Sequence, residues 1–172
     1  SLTIWISFVA LLFSLTYPFT KRFFAIPQLY LGVTFGFGIL MAFSAIQNTI
    51  PLEAQILFIA NIFWVFAYDS HYAISDMEDD KKLNIYSAPL TFNNKIILMI
   101  VFSYFLMFLS LFIIGFLKEF TISFYCLLGL AILVSMYGCF ESRGMEPYKN
   151  FKAFLRNNYI GLIIFAGFFS QM

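Results

Sequence analysis

Long apolar runs separated by short polar breaks make up most of the chain. A helix needs about 20 mostly apolar residues to cross the hydrocarbon core of a bilayer. Six segments are predicted on that basis: Leu2–Phe19, Gln28–Gln47, Leu52–Ser75, Lys95–Leu117, Phe120–Phe140 and Asn157–Gln171. The last is shorter than the others, and the first begins inside its apolar run, as the interior of a longer protein would. Prolines mark the breaks: Pro18 and Pro27 bracket the first loop, Pro51 opens the third helix, and Pro147 falls in the last loop. In the second helix Gly32, Gly36 and Gly38 lie beside Ala42. Small residues at that spacing let a neighbouring helix approach closely, and packing is their expected role.

Polar residues in the breaks are not evenly shared. Lys21, Arg22, Lys81, Lys82, Lys95, Arg143, Lys149, Lys152 and Arg156 fall in breaks on one side of the predicted bundle, whereas Lys118, next to Glu119, is on the other. The positive-inside rule assigns the basic side to the cytoplasm. An even number of spans then leaves both ends of the sequence on the outer side.

The densest polar segment runs from Tyr68 to Asp80. It holds Asp69, Asp76, Glu78, Asp79 and Asp80 at the cytoplasmic end of the third span. Carboxylates at the edge of a membrane helix are costly and point to function. At roughly 100° per residue, Asp69, Tyr72, Ala73, Asp76 and Asp80 share one face. Glu78 and His71 point to the opposite side and Asp79 sits off the face, so these are read as solvated or uninvolved. Aligned carboxylates repel one another unless a cation lies between them. A hard divalent ion such as Mg²⁺ suits them, because it bridges one or two protein carboxylates to substrate phosphates.

Composition sharpens the picture. The 172 residues are 62% hydrophobic and 11% charged, with a mean hydropathy of +0.87. A soluble domain carries about 25% charged residues, so this chain could not cover its surface with polar groups. The expected fold class is all-α, a polytopic integral membrane helical bundle in which residues 1–172 form a single membrane domain. A net charge of +1 without any basic run gives no reason to expect nucleic-acid binding. The opening Ser1-Leu2-Thr3-Ile4 lacks the charged start of a signal peptide. Cys126 and Cys139 are thirteen residues apart in one predicted helix, too distant to bridge, and both read as small buried hydrophobes.

Chemistry converges on the cytoplasmic side. The Asp76 and Asp80 face could hold Mg²⁺, and Lys21-Arg22 and Lys81-Lys82 flank it. Carboxylates, metal and several cations together bind a polyanion such as diphosphate. The surroundings are apolar and rich in Phe, Tyr and Met, so a diphosphate carried on a hydrocarbon chain fits both halves. Tyr68 and Tyr72, beside the acidic stripe, are the aromatic candidates for stabilising a cationic intermediate.

These residues resemble the 4-hydroxybenzoate polyprenyltransferases of the UbiA superfamily of intramembrane prenyltransferases. The family's second Asp-rich motif is matched by Tyr68-Asp69-Ser70, Tyr72-Ala73, Asp76 and Asp79-Asp80. Upstream, Tyr17-Pro18-Phe19, Lys21-Arg22, Pro27-Gln28, Leu31-Gly32 and Phe35-Gly36 match in order, followed by Ala60-Asn61-Ile62 and Trp64. Near the end, Phe151-Lys152-Ala153-Phe154, Asn157-Asn158-Tyr159 and Gly161 look like the last cytoplasmic loop and final helix. The resemblance implies a bundle of nine spans, about six of them here, around a cavity open to the bilayer of a bacterial inner membrane. It implies two Asp motifs that bind Mg²⁺ and a polyprenyl diphosphate. An allylic carbocation would then alkylate 4-hydroxybenzoate ortho to the phenol, an early step of ubiquinone biosynthesis. In that scheme Asp76 and Asp80 are metal carboxylates and Asp69 supports them. Arg22 with Lys21 holds diphosphate or the benzoate carboxylate, and Tyr68, Tyr72, Lys82 and Asn158 contact substrate.

Two departures qualify the resemblance. The family's first Asp motif, approximately ND-x-x-D-x-x-x-D, is absent, so the missing N-terminal helices of the same protein are an expected partner and these residues alone are expected to be inactive. In the loop after Asp80, Asn84, Tyr86 and Ala88 replace the family's Gly, Lys and Thr, which removes one candidate anion contact at position 86. The rival readings are a non-catalytic remnant and an ion-coupled transporter. Transporter sites lie near the midplane at broken helices, whereas these acids lie at the rim beside basic loops. CDP-alcohol phosphotransferases also pair intramembrane carboxylates with a metal, but their D-G-x-x-A-R element is absent.

Overall fold

Every regular element of the computed structural model, which describes residues 1–172, is helical. The long helices are α1 (Leu2–Thr20), α2 (Pro27–Gln47) and α3 (Leu52–Ser75). A short α4 (Met77–Lys82) and α5 (Ala88–Phe92) follow, then a 3₁₀ turn (Asn93–Lys95) leading into α6 (Ile96–Leu117). α7 (Ile122–Glu141), a second 3₁₀ turn (Ser142–Gly144) and α8 (Pro147–Phe169) complete the chain. Five helical segments are long and apolar enough to cross a membrane: Leu2–Thr20, Pro27–Gln47, Leu52–Ser75, Ala88–Leu117 and Ile122–Gly144.

The sixth predicted span differs. α8 begins at Pro147, ten residues before the expected Asn157 and within what reads as a loop. Its first three turns carry Lys149, Lys152 and Arg156, so charge spacing alone places them outside a membrane helix. Tertiary bonds explain the extension. The Ser75 hydroxyl donates to the Pro147 carbonyl (3.1 Å), and His71 Nδ1 lies 3.0 Å from Asn150 Oδ1, both residues buried. Proline at the first helical position costs no hydrogen bond. Pro18 likewise lies inside α1 rather than at its end; the helix runs on to Thr20 because the lost bond falls near its last turn.

α3 is the central post, packing against α2, α6 and α8. Gly32 explains the closeness of α2: a Cβ there would come within 2.8 Å of the Ile62 carbonyl oxygen. At Gly36 it would meet the Phe58 ring at 2.6 Å, whereas Gly38 faces open space. The packing role expected of the glycines therefore holds at two of the three. The main core joins α3, α6, α7 and α8 through Phe66, Ile74, Ile100, Met107, Phe124 and Ile160. Cys139 is buried as expected, but Cys126 is exposed on the outer, apolar face of α7.

The helices alternate in direction, and contacts at both ends establish this. Lys118 Nζ pairs with Glu53 Oε1 (2.7 Å) and the Thr121 N–H donates to Gln171 Oε1 (2.8 Å) at one end. The opposite end gathers Lys21, Asp80, Glu141, Arg156 and the start of α8, tied by the Lys21–Asp80 and Arg156–Glu141 pairs.

Candidate functional site

Three segments meet at the acidic end: the close of α1, the turn from α3 into α4, and the loop before α5. Backbone and buried side-chain bonds fasten them. The Tyr86 N–H donates to the Lys21 carbonyl (2.7 Å), the Ala88 N–H to Oε1 of buried Gln28 (3.0 Å), and the Thr91 hydroxyl to the Ala25 carbonyl (2.6 Å). Asn84, where the family has glycine, adopts φ 51°. Asparagine is the residue that most readily replaces glycine in that left-handed region, so the loop keeps its turn. Tyr86 is exposed, and its backbone rather than its side chain ties the loop down.

The acidic stripe is not one straight helix. α3 stops at Ser75, and Asp76 takes a non-helical conformation (φ −99°, ψ 5°) before α4 starts. Aspartate is a weak helix former in an interior but favours a first turn. α4 accordingly opens on Glu78, Asp79 and Asp80 and closes on Lys81 and Lys82. Bonds spaced four residues apart carry across the break: the Asp76 N–H reaches the Tyr72 carbonyl (3.3 Å) and the Asp80 N–H reaches the Asp76 carbonyl (2.9 Å). Lys21 lies 3.4 Å from Asp80, and the charges of Lys21, Asp80 and Asp76 all act on Asp69 across the break.

Asp80 is its most buried member, only 4% exposed. Its Oδ1 lies 3.4 Å from Lys21 Nζ, while Oδ2 is buried without a partner. A buried carboxylate oxygen left unpaired is destabilising unless a cation or donor reaches it. Oxygen donors alone suit a hard cation. No three His, Cys, Asp or Glu side chains close into a full ligand set, and Mg²⁺ in particular is commonly held by one or two carboxylates with phosphate and water completing its shell.

The remaining candidates separate into two groups. Tyr72 lies beside Asp76, and Tyr68 beside Asp69. Arg22 is exposed and forms no ion pair, one residue from Lys21. Lys82 turns away: its Nζ bonds Asp79 Oδ1 (2.9 Å) with both side chains exposed, and this hydrogen bond raises the ammonium's pKa above its ordinary value. Glu78 and Asp79 are exposed, as their positions off the stripe predict.

Behind the acids, between α3 and α8, lies a cavity of about 350 Å³ lined by Asn61, Trp64, Tyr68, Phe154, Asn157 and Asn158. Tyr68 packs on Trp64 and on Phe154, each at 6.0 Å between ring centres, and Tyr72 packs on Phe154 at 5.2 Å. Asn157 is the hub. Its Oδ1 accepts from both Trp64 Nε1 and the Tyr104 hydroxyl at 2.9 Å, and its Nδ2 donates to the Ala153 carbonyl at 3.0 Å. Asn158 is exposed at the rim. Sequence reasoning assigned no role to Asn61, Trp64, Phe154 or Asn157, although motifs contained them. A readable signal exists for α8: Asn150, Ala153, Asn157 and Ile160 recur at helical spacing, and all four are buried.

The fold and this end of the bundle define a polytopic α-helical membrane protein that gathers acidic and basic side chains at one end, with an aromatic cavity between α3 and α8. The chain belongs to the UbiA prenyltransferase family, whose sequence profile matches residues 1–159. It is 48% identical over 167 residues to a 4-hydroxybenzoate octaprenyltransferase of Francisella tularensis subsp. mediasiatica (strain FSC147), covering 95% of this chain and 57% of that protein. A 4-hydroxybenzoate octaprenyltransferase of Nitrosomonas europaea is 44% identical over 168 residues, with 96% of this chain and 57% of that protein covered. The chain thus spans little more than half the length of the relatives it matches. The apo structure of a UbiA homolog from Aeropyrum pernix K1 superposes with a TM-score of 0.79 at 21% identity, over 96% of this chain and 62% of that one. At that identity the likeness speaks for the fold.

Proposed function

We propose that the protein containing these residues transfers a polyprenyl group from a polyprenyl diphosphate to 4-hydroxybenzoate, ortho to the phenol, with Mg²⁺. The carrying observation is the buried Asp80, with one oxygen near Lys21 and the other unpartnered, its charge acting on Asp69, the chain neighbour of Tyr68 in the wall of the aromatic cavity. Relatives named for octaprenyl transfer to 4-hydroxybenzoate support the substrate pair. In the reaction the allylic C–O bond to diphosphate breaks, a C–C bond forms at the ring, and the ring loses one proton.

The chain's residues divide the work. Asp76 and Asp80, supported by Asp69, would hold Mg²⁺, which when bound supplies charge neutralisation for the diphosphate. Lys21 and Arg22 hold the anionic head through charge-assisted bonds. Tyr68 and Tyr72, both packed on Phe154, would offer ring π-electrons to positive charge at the allylic carbon. The basic end of the bundle orients the site toward the cytoplasm of a bacterial inner membrane.

The test uses the full-length protein in membranes with labelled 4-hydroxybenzoate, a polyprenyl diphosphate and Mg²⁺. Asp80→Asn is expected to lower transfer by about a hundredfold or more, the size of losing one major electrostatic contributor. Transfer at the wild-type rate in that variant would remove Asp80 from the metal site, and no transfer by the wild-type protein would end the reading.

A further inference from the structure

α6 and α7 are pinned together at one end and parted at the other. Near the turn that joins them, a Cβ on Gly115 would fall 2.8 Å from the Phe124 ring, and Phe112 packs on Tyr125 with 5.5 Å between ring centres. Toward the basic end of the bundle a groove of about 340 Å³ opens between the two helices, with Val101, Phe105, Ile132, Met136 and Phe140 in its walls. Buried Tyr104 and Cys139 form its floor, and Arg143 stands at its mouth. Val101, Phe105, Met136 and Phe140 are exposed, so no other helix of this chain covers the groove.

Arg143 has no acidic partner. Its guanidinium lies over the Phe140 ring, 4.9 Å from the centre. The acids nearest it in sequence are taken: Glu141 pairs with Arg156, and Glu146 with Lys149 (2.6 Å). A guanidinium stacked on a ring keeps its planar fork of N–H donors for a phosphate. Lys95, two residues before Ile97 of the groove, is exposed and also forms no ion pair. Both cations flank apolar helices at their ends, the depth at which lipid phosphates lie.

We propose that this groove is a binding site for one anionic phospholipid. An acyl chain lies along the seam over Tyr104, and the headgroup phosphate meets Arg143, with Lys95 adding to the attraction. An apolar seam that ends in uncompensated positive charge is complementary to such a lipid. A zwitterionic lipid brings a cation of its own to the same two residues and gains less. A further helix fits poorly, because a helix is about 10 Å across and the seam is closed at its Gly115 end. The bound chain backs Tyr104, whose hydroxyl donates to Asn157 Oδ1 (2.9 Å), and so steadies the junction of α3, α6 and α8. The site does not depend on the prenyl-transfer reading.

Native mass spectrometry of the full-length protein in detergent tests it, with phosphatidylglycerol or phosphatidylcholine of matched acyl chains as the probe. The expected result is one saturable phosphatidylglycerol, bound about fivefold more tightly than phosphatidylcholine, the scale of one cation's attraction for an anionic lipid. Arg143→Gln should remove that preference, whereas Lys152→Gln, at a cation outside the groove, should keep it. Val101→Trp fills the groove, leaves both cations in place, and should abolish the saturable site. If that variant fails to fold, Met136→Trp fills the groove from the opposite wall, at a position 62% exposed. Equal affinity for the two lipids overturns the proposal, as does an equal loss in Arg143→Gln and Lys152→Gln, which would mean diffuse surface charge. Saturable binding that survives the filled groove places the lipid elsewhere and overturns it too. No saturable lipid at all, the result expected if another part of a longer chain fills the seam, has the same consequence.

Discussion

Asn157 concentrates more of the site's geometry than any residue whose side chain could do chemistry. Its amide oxygen takes two donors from two different helices, Trp64 on α3 and Tyr104 on α6, while sitting on α8 itself. Within an apolar bundle no water competes for these donors, and each such bond contributes about 1–2 kcal/mol. Asn157→Leu should therefore lower thermal stability in detergent by several degrees and weaken transfer, because both rings lose their anchor. Asn158→Ala provides the contrast. Its side chain is exposed, so stability should change by less than about 0.5 kcal/mol, while the KM of an acceptor using the cavity rim should rise. Equal destabilisation by the two variants would contradict the hub. Residue chemistry in the sequence pointed to acids and cations, and the cluster of Asp69, Asp76, Asp80 and Lys21 was legible from spacing and charge alone. Asn157 was not, since an amide announces its role only through the partners that folding brings to it.

Elements were legible where one physical signal dominated. α2, α3 and α6 follow apolar length closely, and the expected starts differ by a residue or so. The third span was expected to end at Ser75, as α3 does, and the helical phase read on to Asp80 holds because the hydrogen bonds on either side of Asp76 keep a four-residue spacing although the helix does not. The start of α8 was hidden because its charges belong to a helix that extends past the apolar region, fastened by Asn150 and Pro147 to α3. The glycines of α2 make the sharpest test at this scale. Gly32→Ala would drive a Cβ against the Ile62 backbone, which cannot swing aside as a side chain can. The expected cost is about 1–3 kcal/mol, typical of overpacking, together with reduced transfer because α2 buttresses the loop through Gln28. Gly38→Ala meets nothing within 4 Å and should leave the melting temperature unchanged or slightly raised. Thermal melts of both variants decide it; an unaffected Gly32→Ala would mean α2 and α3 can separate without loss.

At the scale of the whole molecule, charge divides the bundle into two unlike ends. Lys118 is the only cation at its end, and Glu53 neutralises it. The other end carries Lys21, Arg22, Lys81, Lys82, Lys95, Arg143, Lys149, Lys152 and Arg156, of which Lys21, Lys82, Lys149 and Arg156 are paired with acids. Cationic loops resist translocation, so the bundle should insert with its basic end in the cytoplasm. In the proposed reaction catalysis and insertion would depend on the same residue: Lys21 would help retain its loop on the cytoplasmic side, and it faces Asp80. This orientation is functionally necessary in the proposed reaction, because a diphosphate cannot cross the hydrocarbon core to reach an acidic rim on the far side. Cysteine labelling of a Cys126→Ala, Cys139→Ala background checks it. Glu78→Cys, exposed beside the acids, should react with an impermeant maleimide in inside-out vesicles and resist it in intact cells. Thr49→Cys, in the exposed turn between α2 and α3, should show the reverse. Labelling of Thr49→Cys from the cytoplasm would invert the molecule, separate the acidic rim from its proposed donor, and force a different ligand for the Asp80 site.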